Sequence, residues 1–178
     1  MKSNLTAAYV RSILDYNPNT GVFTWRHRPR EHFTDERASK IWNTRYAGTT
    51  AGCIKSDGYA RIAIDNIRYF AHRLAWLYAT GFWPACQIDH VDLVRSNNIF
   101  SNLREATHSQ NRANRRAQSN NTSGVKGVSL HKQKNKWQAQ ICVIGKTLRL
   151  GYFDTREDAA AAYAKAAQDL HGEFARTE

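Results

Sequence analysis

The chain has 178 residues, a length that excludes a large multidomain machine and leaves room for one ordinary domain or two small ones. Lys and Arg number 26 against 15 Asp and Glu, a net charge of +11 with a pI near 9.9, and this excess points to a polyanionic partner. No apolar run approaches the ~18–20 residues of a membrane span, and the opening MKSNLTAAYVRSILDYN lacks the apolar block of a signal peptide.

In chain order, Ala7 to Leu14 is predicted as a short helix, NPNTG as a turn and VFTW as a strand. Residues 26–47 are polar and mixed in charge and read as an extended loop. Gly58 to Ile64 alternates as a strand, and Asp65-Asn66 can turn tightly into IRYF, giving a hairpin. AHRLAWLYATG sets Leu74, Leu77 and Tyr78 on one helical face and stops at Gly81.

Composition shifts once, at Ala117 to Ser123, where RRAQSNNTSG favours turns and exposed backbone. The predicted domains are therefore 1–118 and 119–178, and both are basic. Between Val125 and Leu150 there are five lysines and one arginine with no acid, so positive charge is concentrated on one stretch. In KWQAQICV, Trp137, Ala139, Ile141 and Val143 alternate with Gln138, Gln140 and Cys142, the period of a sheet with one buried face. TLRLGYF continues the pattern, with Leu148 and Leu150 inward and Thr147 and Arg149 outward. Thr155 precedes an alanine-rich helix with acids in its first turn and Gly172 at its end. The second domain is thus three antiparallel strands packed on one helix. Cys53, Cys86 and Cys142 are odd in number and far apart, so they build neither a disulfide framework nor a zinc knuckle. They read as small buried apolar residues in a reducing compartment.

The chemistry concentrates in QIDHVDLVRSNNIFSNLREATHSQNRANRR, residues 87–116. A short strand ends in Asp89-His90, a polar loop of about ten residues comes next, then LREA. Thr107 and Gln110 make a capping box that starts a helix and sets Asn111 and Asn114 on its first turns. Asp89 and Asn111 are both oxygen donors, which suit a hard ion such as Mg²⁺. An Asp-His pair alone reads as surface decoration; the capping box and the flanking residues strengthen the catalytic reading. His108 shares a helical face with Asn111 and is the rival ligand. His72 reads as a structural hydrogen-bonding residue. Arg112, Arg115 and Arg116 suit phosphate contact, with a solvated face as the plainer reading.

The segment resembles the HNH endonucleases, of the phage and intron-encoded homing type in which the last His is replaced by Asn. The matching residues are His90, Asn102 and Asn111, spaced 12 and 9 apart, with Asp89 before the first and HRLAWLYATGFWP, IDH and SNNIFSNLREAT around them. The resemblance covers roughly residues 58–116, and residues 5–57 look like the N-terminal extension of phage members. It implies a ββα-metal finger in which His90 is the general base, Asp89 and Asn111 hold one divalent ion, Mg²⁺ or Mn²⁺ in its place, and Asn102 braces the loop and orients His90. It implies a nick or break with 5′-phosphate and 3′-hydroxyl ends.

SGVKGVSLHKQKNKWQAQICVIGKTLRLGYFDTREDAAAAYAKAAQDLHGEFA, residues 123–175, resembles an AP2 domain, whose sheet lies in the DNA major groove. That implies Gln138, Gln140, Thr147 and Arg149 as base readers and Lys132, Lys134, Lys136 and Lys146 as phosphate contacts. VKGVS in place of an arginine-rich opening, and AAYA without the usual acid after Tyr163, bar the transfer of plant target sites.

The expected fold class is α+β, an HNH finger domain followed by an AP2-like sheet on one helix. The expected function is a metal-dependent endonuclease of double-stranded DNA, monomeric, without a membrane partner, working on DNA in the cytoplasm of a bacterial host. The alternative is a non-catalytic DNA-binding transcriptional regulator; RNA binding fits the charge but not a sheet shaped for a B-form groove.

Overall fold

Thr6 accepts a hydrogen bond from the Tyr9 N–H at 3.2 Å and starts α1 (Ala7–Ile13), satisfying one of the donors that a first turn leaves open. The computed structural model describes residues 5–118 and 120–177. The chain divides into two compact units, Met1–Glu105 and Ala106–Glu178.

In the first unit α1 runs straight into β1 (Leu14–Asn17), which pairs antiparallel with β2 (Val22–Trp25). Residues 26–47, expected as a loop, hold a 3₁₀ turn at Arg30–His32 and a helix of 11 residues, α2 (Glu36–Tyr46). Asp35 caps this helix by accepting from the Ala38 N–H at 2.7 Å. Its buried positions are Ser39 and Asn43, so no apolar stripe marks it in the sequence. Asn43 instead binds the backbone of Arg28 in both directions, each bond 2.9 Å.

Next in the chain is a three-stranded sheet, β3 (Cys53–Ile54), β4 (Ala60–Ile64) and β5 (Ile67–Phe70), in that order. Asp65 and Asn66 take φ of 48° and 64°, the mirror-image turn that a two-residue hairpin requires. Then α3 (Ala71–Thr80) ends at Gly81 with φ 86°, a left-handed cap that costs glycine little. Val10, Ile13, Leu14, Ile62, Ile64, Leu74 and Leu77 are fully buried and join these elements into one core, each contributing roughly 1.5–3 kcal/mol by leaving water. Two strands complete the order, β6 (Gln87–His90) and its partner β7 (Leu103–Ala106).

The second unit opens with α4 (His108–Asn114), started by the expected capping box: Thr107 N–H donates to the Gln110 side chain at 2.8 Å and Gln110 N–H to the Thr107 hydroxyl at 3.3 Å. The units divide ahead of the shift in composition because α4 is tied to the C-terminal elements. Ala106, Ala113 and Phe174 share a buried cluster, and the Lys126 ammonium donates to the carbonyls of Ala113 and Arg115. Burial, with Arg176 nearby, pushes the Lys126 pKa down to about 8.

The remaining strands, β8 (Val128–His131), β9 (Lys136–Val143) and β10 (Lys146–Phe153), form an antiparallel sheet with β9 in the centre. The helix α5 (Arg156–His171), capped by Thr155, packs on it through Ala159, Tyr163 and Ala167 against Val128, Ala139 and Ile141. The fold is α+β, as expected. Leu148 departs from its expected place: it stands opposite Ile141 but on an edge strand, and is 46% exposed. All three cysteines are exposed rather than buried; Cys142 falls on the outward register of β9, and Cys53 on the two-residue edge strand β3. Among the described residues no helix is long and apolar enough to cross a membrane.

Candidate functional site

Asp89 and His90 end β6, and both are only 5% exposed. A carboxylate taken that far from water requires a partner. Arg104, on the neighbouring strand β7, donates from both Nε and Nη2 to Asp89 Oδ2 at 3.0 Å. A charged pair across adjacent strands is a common way to satisfy such a group.

The His90 imidazole sits among rings. The ring of His72 meets it edge-on at 5.1 Å and that of Tyr59 lies at 6.0 Å. Asn98 Oδ1 lies 3.3 Å from His90 Nε2. An amide oxygen can only accept, so it assigns the proton of the neutral ring to Nε2 and the lone pair to Nδ1. Burial lowers the His90 pKa, with Arg95 pulling the same way against the raising effects of Asn98, Asp92 and Asp89. Burial thus favours the neutral form of the ring. His72 is neutral: burial first, then His90 and Arg73, push its pKa to about 3.

Between β6 and β7 the chain makes a tightly determined loop. Asn102 is buried, its amide donating to Asp92 Oδ1 and to the Asn97 carbonyl, both at 2.9 Å, and accepting from the Asp92 N–H at 3.0 Å. Burial pushes the Asp92 pKa up, but hydrogen bonds from Asn97, the Val94 N–H and Asn102 outweigh it and hold this carboxyl below the usual range. Leu93 takes φ 65°, strained for a bulky residue and held there by the surrounding bonds. The N-terminal hairpin presses on the same loop. Tyr16 donates to the Asn98 carbonyl at 2.7 Å and the Phe100 N–H to that of Pro18 at 3.0 Å. Gly21, at φ 71°, lies so close that an added Cβ would fall 2.4 Å from the Asn98 carbonyl carbon.

Asn111 is half-buried on α4 and His108 exposed before it. Arg112, Arg115 and Arg116 are exposed and line, with Lys126, Gln140 and Thr147, a cavity of about 720 Å³ inside the second unit. Gln138 and Gln140 are bonded to each other at 3.1 Å along β9. Lys146, Thr147 and Arg149 are exposed on β10. Lys132 and Lys134 lie in the β8–β9 turn, Lys134 Nζ being 3.9 Å from the centre of the Tyr152 ring. Lys136 is paired with Asp154 at 3.0 Å. Among the described residues no three His, Cys, Asp or Glu side chains gather in a group that could hold a metal ion.

Residues 69–113 match the HNH endonuclease family and residues 123–173 the AP2 domain. Protein 3.8 of Escherichia phage T7 is 35% identical over 106 residues, 59% of this chain and 87% of that protein. The chain belongs to the HNH endonuclease family. An uncharacterized HNH endonuclease, L560, of Acanthamoeba polyphaga mimivirus is 39% identical over 88 residues, 49% of this chain and 44% of its own, so the chain spans less than half of that relative. A solved structure of the HNH homing endonuclease I-HmuI, described for its DNA binding and cleavage, aligns over 89% of this chain and 85% of that one at 19% identity and a TM-score of 0.39.

This HNH endonuclease is a DNA nuclease with an AP2 domain near its C-terminus. Three residues around its Asp-His pair are absent from the sequence-derived site: Asn98, Arg104 and His72. Asn98 is the amide that meets the imidazole, whereas Asn102 lies at the neck of the loop, bonded to Asp92 and Asn97. Arg104 grips Asp89, and His72 walls His90. An arginine on the strand after the loop is the one signal that could have marked Arg104.

Proposed function

We propose that the chain hydrolyses phosphodiester bonds of double-stranded DNA with a divalent ion, Mg²⁺ or Mn²⁺, and grips DNA through its C-terminal sheet. The observation that carries this reading is the His90 ring buried beside Asp89, with Asn98 Oδ1 3.3 Å from its Nε2. His90 takes the proton of the water that attacks phosphorus, the task of a base whose ring is neutral at working pH. Asn102 keeps the loop that carries Asn98 in shape. Asp89 and Asn111 would hold the ion, and their donor chemistry fits it: a carboxylate and an amide oxygen are the hard ligands Mg²⁺ takes while keeping waters and phosphate in the rest of its shell. When bound, the ion supplies positive charge where the leaving 3′ oxygen becomes negative. EDTA is expected to stop cleavage of plasmid DNA, with Mg²⁺ restoring it; undiminished cleavage in chelator would remove the ion from the scheme.

The C-terminal part, residues 119–178, reads the major groove with its outer face in this proposal, while residues 1–118 cut. The exposed Lys132, Lys134, Lys146 and Arg149, in a stretch without acid, support it. Gln138, Gln140, Thr147 and Arg149 meet base edges; Lys132, Lys134, Lys136 and Lys146, with Arg112, Arg115 and Arg116, meet phosphates. The enzyme works as a monomer on DNA inside a bacterial host. Two substitutions separate the roles. Lys146→Ala is expected to lower the slope of log K against log salt by about 0.9 on every sequence. Arg149→Ala is expected to leave the slope unchanged and cost about 1–3 kcal/mol on the preferred site alone. Titrating binding against salt on preferred and scrambled duplexes decides it, and identical behaviour of the two variants would refute the division of labour.

A further inference from the structure

A second cavity, of about 500 Å³, lies within the first unit, apart from the Asp89-His90 pair. It falls within the ~300–1,000 Å³ range of small-ligand sites. One side is aromatic: Trp25, Trp42 and Tyr46 are half-buried, Trp42 meeting Trp25 edge-on at 83° and Tyr46 at a tilt of 47°, with ring centres 5.2 Å apart in both pairs, Arg28 over the Trp42 ring and Arg45 over that of Tyr46. Facing them is the outer face of the β3–β4–β5 sheet, where Cys53 pairs with Arg61 and Ala63 with Arg68 in register. The small Ala63 and Cys53 leave room over the strands, and Lys55, Arg61 and Arg68 surround it with positive charge. Arg61 is already held by Asp57. Lys55 and Arg68 pair with no carboxylate among the described residues, and none of the cavity's residues is acidic.

Aromatic rings set at angles to one another beside cations that pair with no carboxylate suit a ligand with an aromatic ring and negative charge, which is the chemistry of a nucleotide. In a duplex the base faces are stacked on one another, and only phosphates and base edges are presented. Phosphates alone would need cations on an open surface, not a concave aromatic wall. Base faces become available where a strand is unpaired, and stacking on aromatic rings tolerates any sequence. We propose that this cleft takes an unpaired nucleotide of a DNA strand, its base against Trp25, Trp42 and Tyr46 and its flanking phosphates on Lys55 and Arg68. The inference rests on the chain being a DNA nuclease and adds a substrate class: DNA with an unpaired segment, such as a flap, gap or bulge.

The test uses the full chain without divalent metal, so that binding is read whether or not the chain cuts. Short oligo(dT) is the unpaired probe, and a blunt duplex of equal length the control. Cys53 lines the cleft and is exposed; Cys86 is exposed and lines no part of it. Maleimide labelling of the unaltered protein, read by peptide mass spectrometry, is expected to slow at Cys53 and not at Cys86 when oligo(dT) is added. Trp42→Leu is expected to weaken oligo(dT) binding about tenfold, in line with the loss of one stacked base, while changing duplex affinity less than twofold, and Arg68→Glu to weaken oligo(dT) binding by about as much through the loss of a phosphate contact. Absence of oligo(dT) binding, unchanged labelling of Cys53, or equal losses on oligo(dT) and duplex in both variants would overturn the proposal. Failure of Mg²⁺-dependent cleavage, by contrast, would strike the proposed reaction and leave the Cys53 result standing.

Discussion

His90→Ala is expected to slow DNA cleavage by about 10²–10⁴-fold while leaving duplex affinity unchanged, because a general base contributes that much to the chemical step and little to binding. The ring's environment adds a second expectation. Burial lowers the His90 pKa from its ordinary value of 6.5, and the base works only when neutral. The cleavage rate should therefore be level through neutral pH and fall only as pH drops below 6.5 through the lowered value. Single-turnover cleavage of a labelled duplex across that range, beside filter binding of the same duplex, measures both. Wild-type rates in the alanine variant would end the assignment of His90 as base.

The second large effect is expected at Asp89, where two roles overlap. Asp89→Ala should abolish cleavage and also destabilise the protein by about 3–5 kcal/mol, since it leaves the Arg104 guanidinium, 15% exposed, without its carboxylate. Replacing both, Asp89→Ala with Arg104→Met, removes the guanidinium together with its carboxylate and should recover much of the lost stability. Cleavage should stay absent in the double variant, because alanine at position 89 supplies no oxygen to an ion. Thermal melts and plasmid nicking of the three proteins separate the roles. Recovery of cleavage along with stability would reduce Asp89 to a structural partner of Arg104.

Where the sequence carried a periodic or capping signal, it anticipated the structure closely. The Thr107 box, the alternation of β9, the Asp65-Asn66 turn and the Gly81 stop are all local: each is decided by a few neighbouring residues and the geometry of a turn. What escaped was decided by distant partners. Helix α2 buries Ser39 and Asn43 against backbone rather than an apolar stripe against a core, so periodicity could not find it. Asn98 lies in a polar loop where any of several amides could have met His90, and its selection depends on how the loop folds. Exposure of Leu148 and Cys53 comes from edge strands, which a pattern of alternation does not distinguish from central ones. The sequence brought Asp89, His90, Asn102 and Asn111 together as a set through a family likeness; their surroundings came from the fold.

The hairpin of residues 14–25 gives the first unit a property of its own. Tyr16, Pro18 and Gly21 hold the backbone on both sides of Asn98, and Asn98 holds the imidazole. The stretch that matches the nuclease family, residues 69–113, is thus not a portable cassette. Recombination that moved it into another gene without the codons upstream of it would deliver Asp89 and His90 but leave the ring unsteered. The surroundings of His90 thus depend on residues 14–25 as much as on the matched stretch.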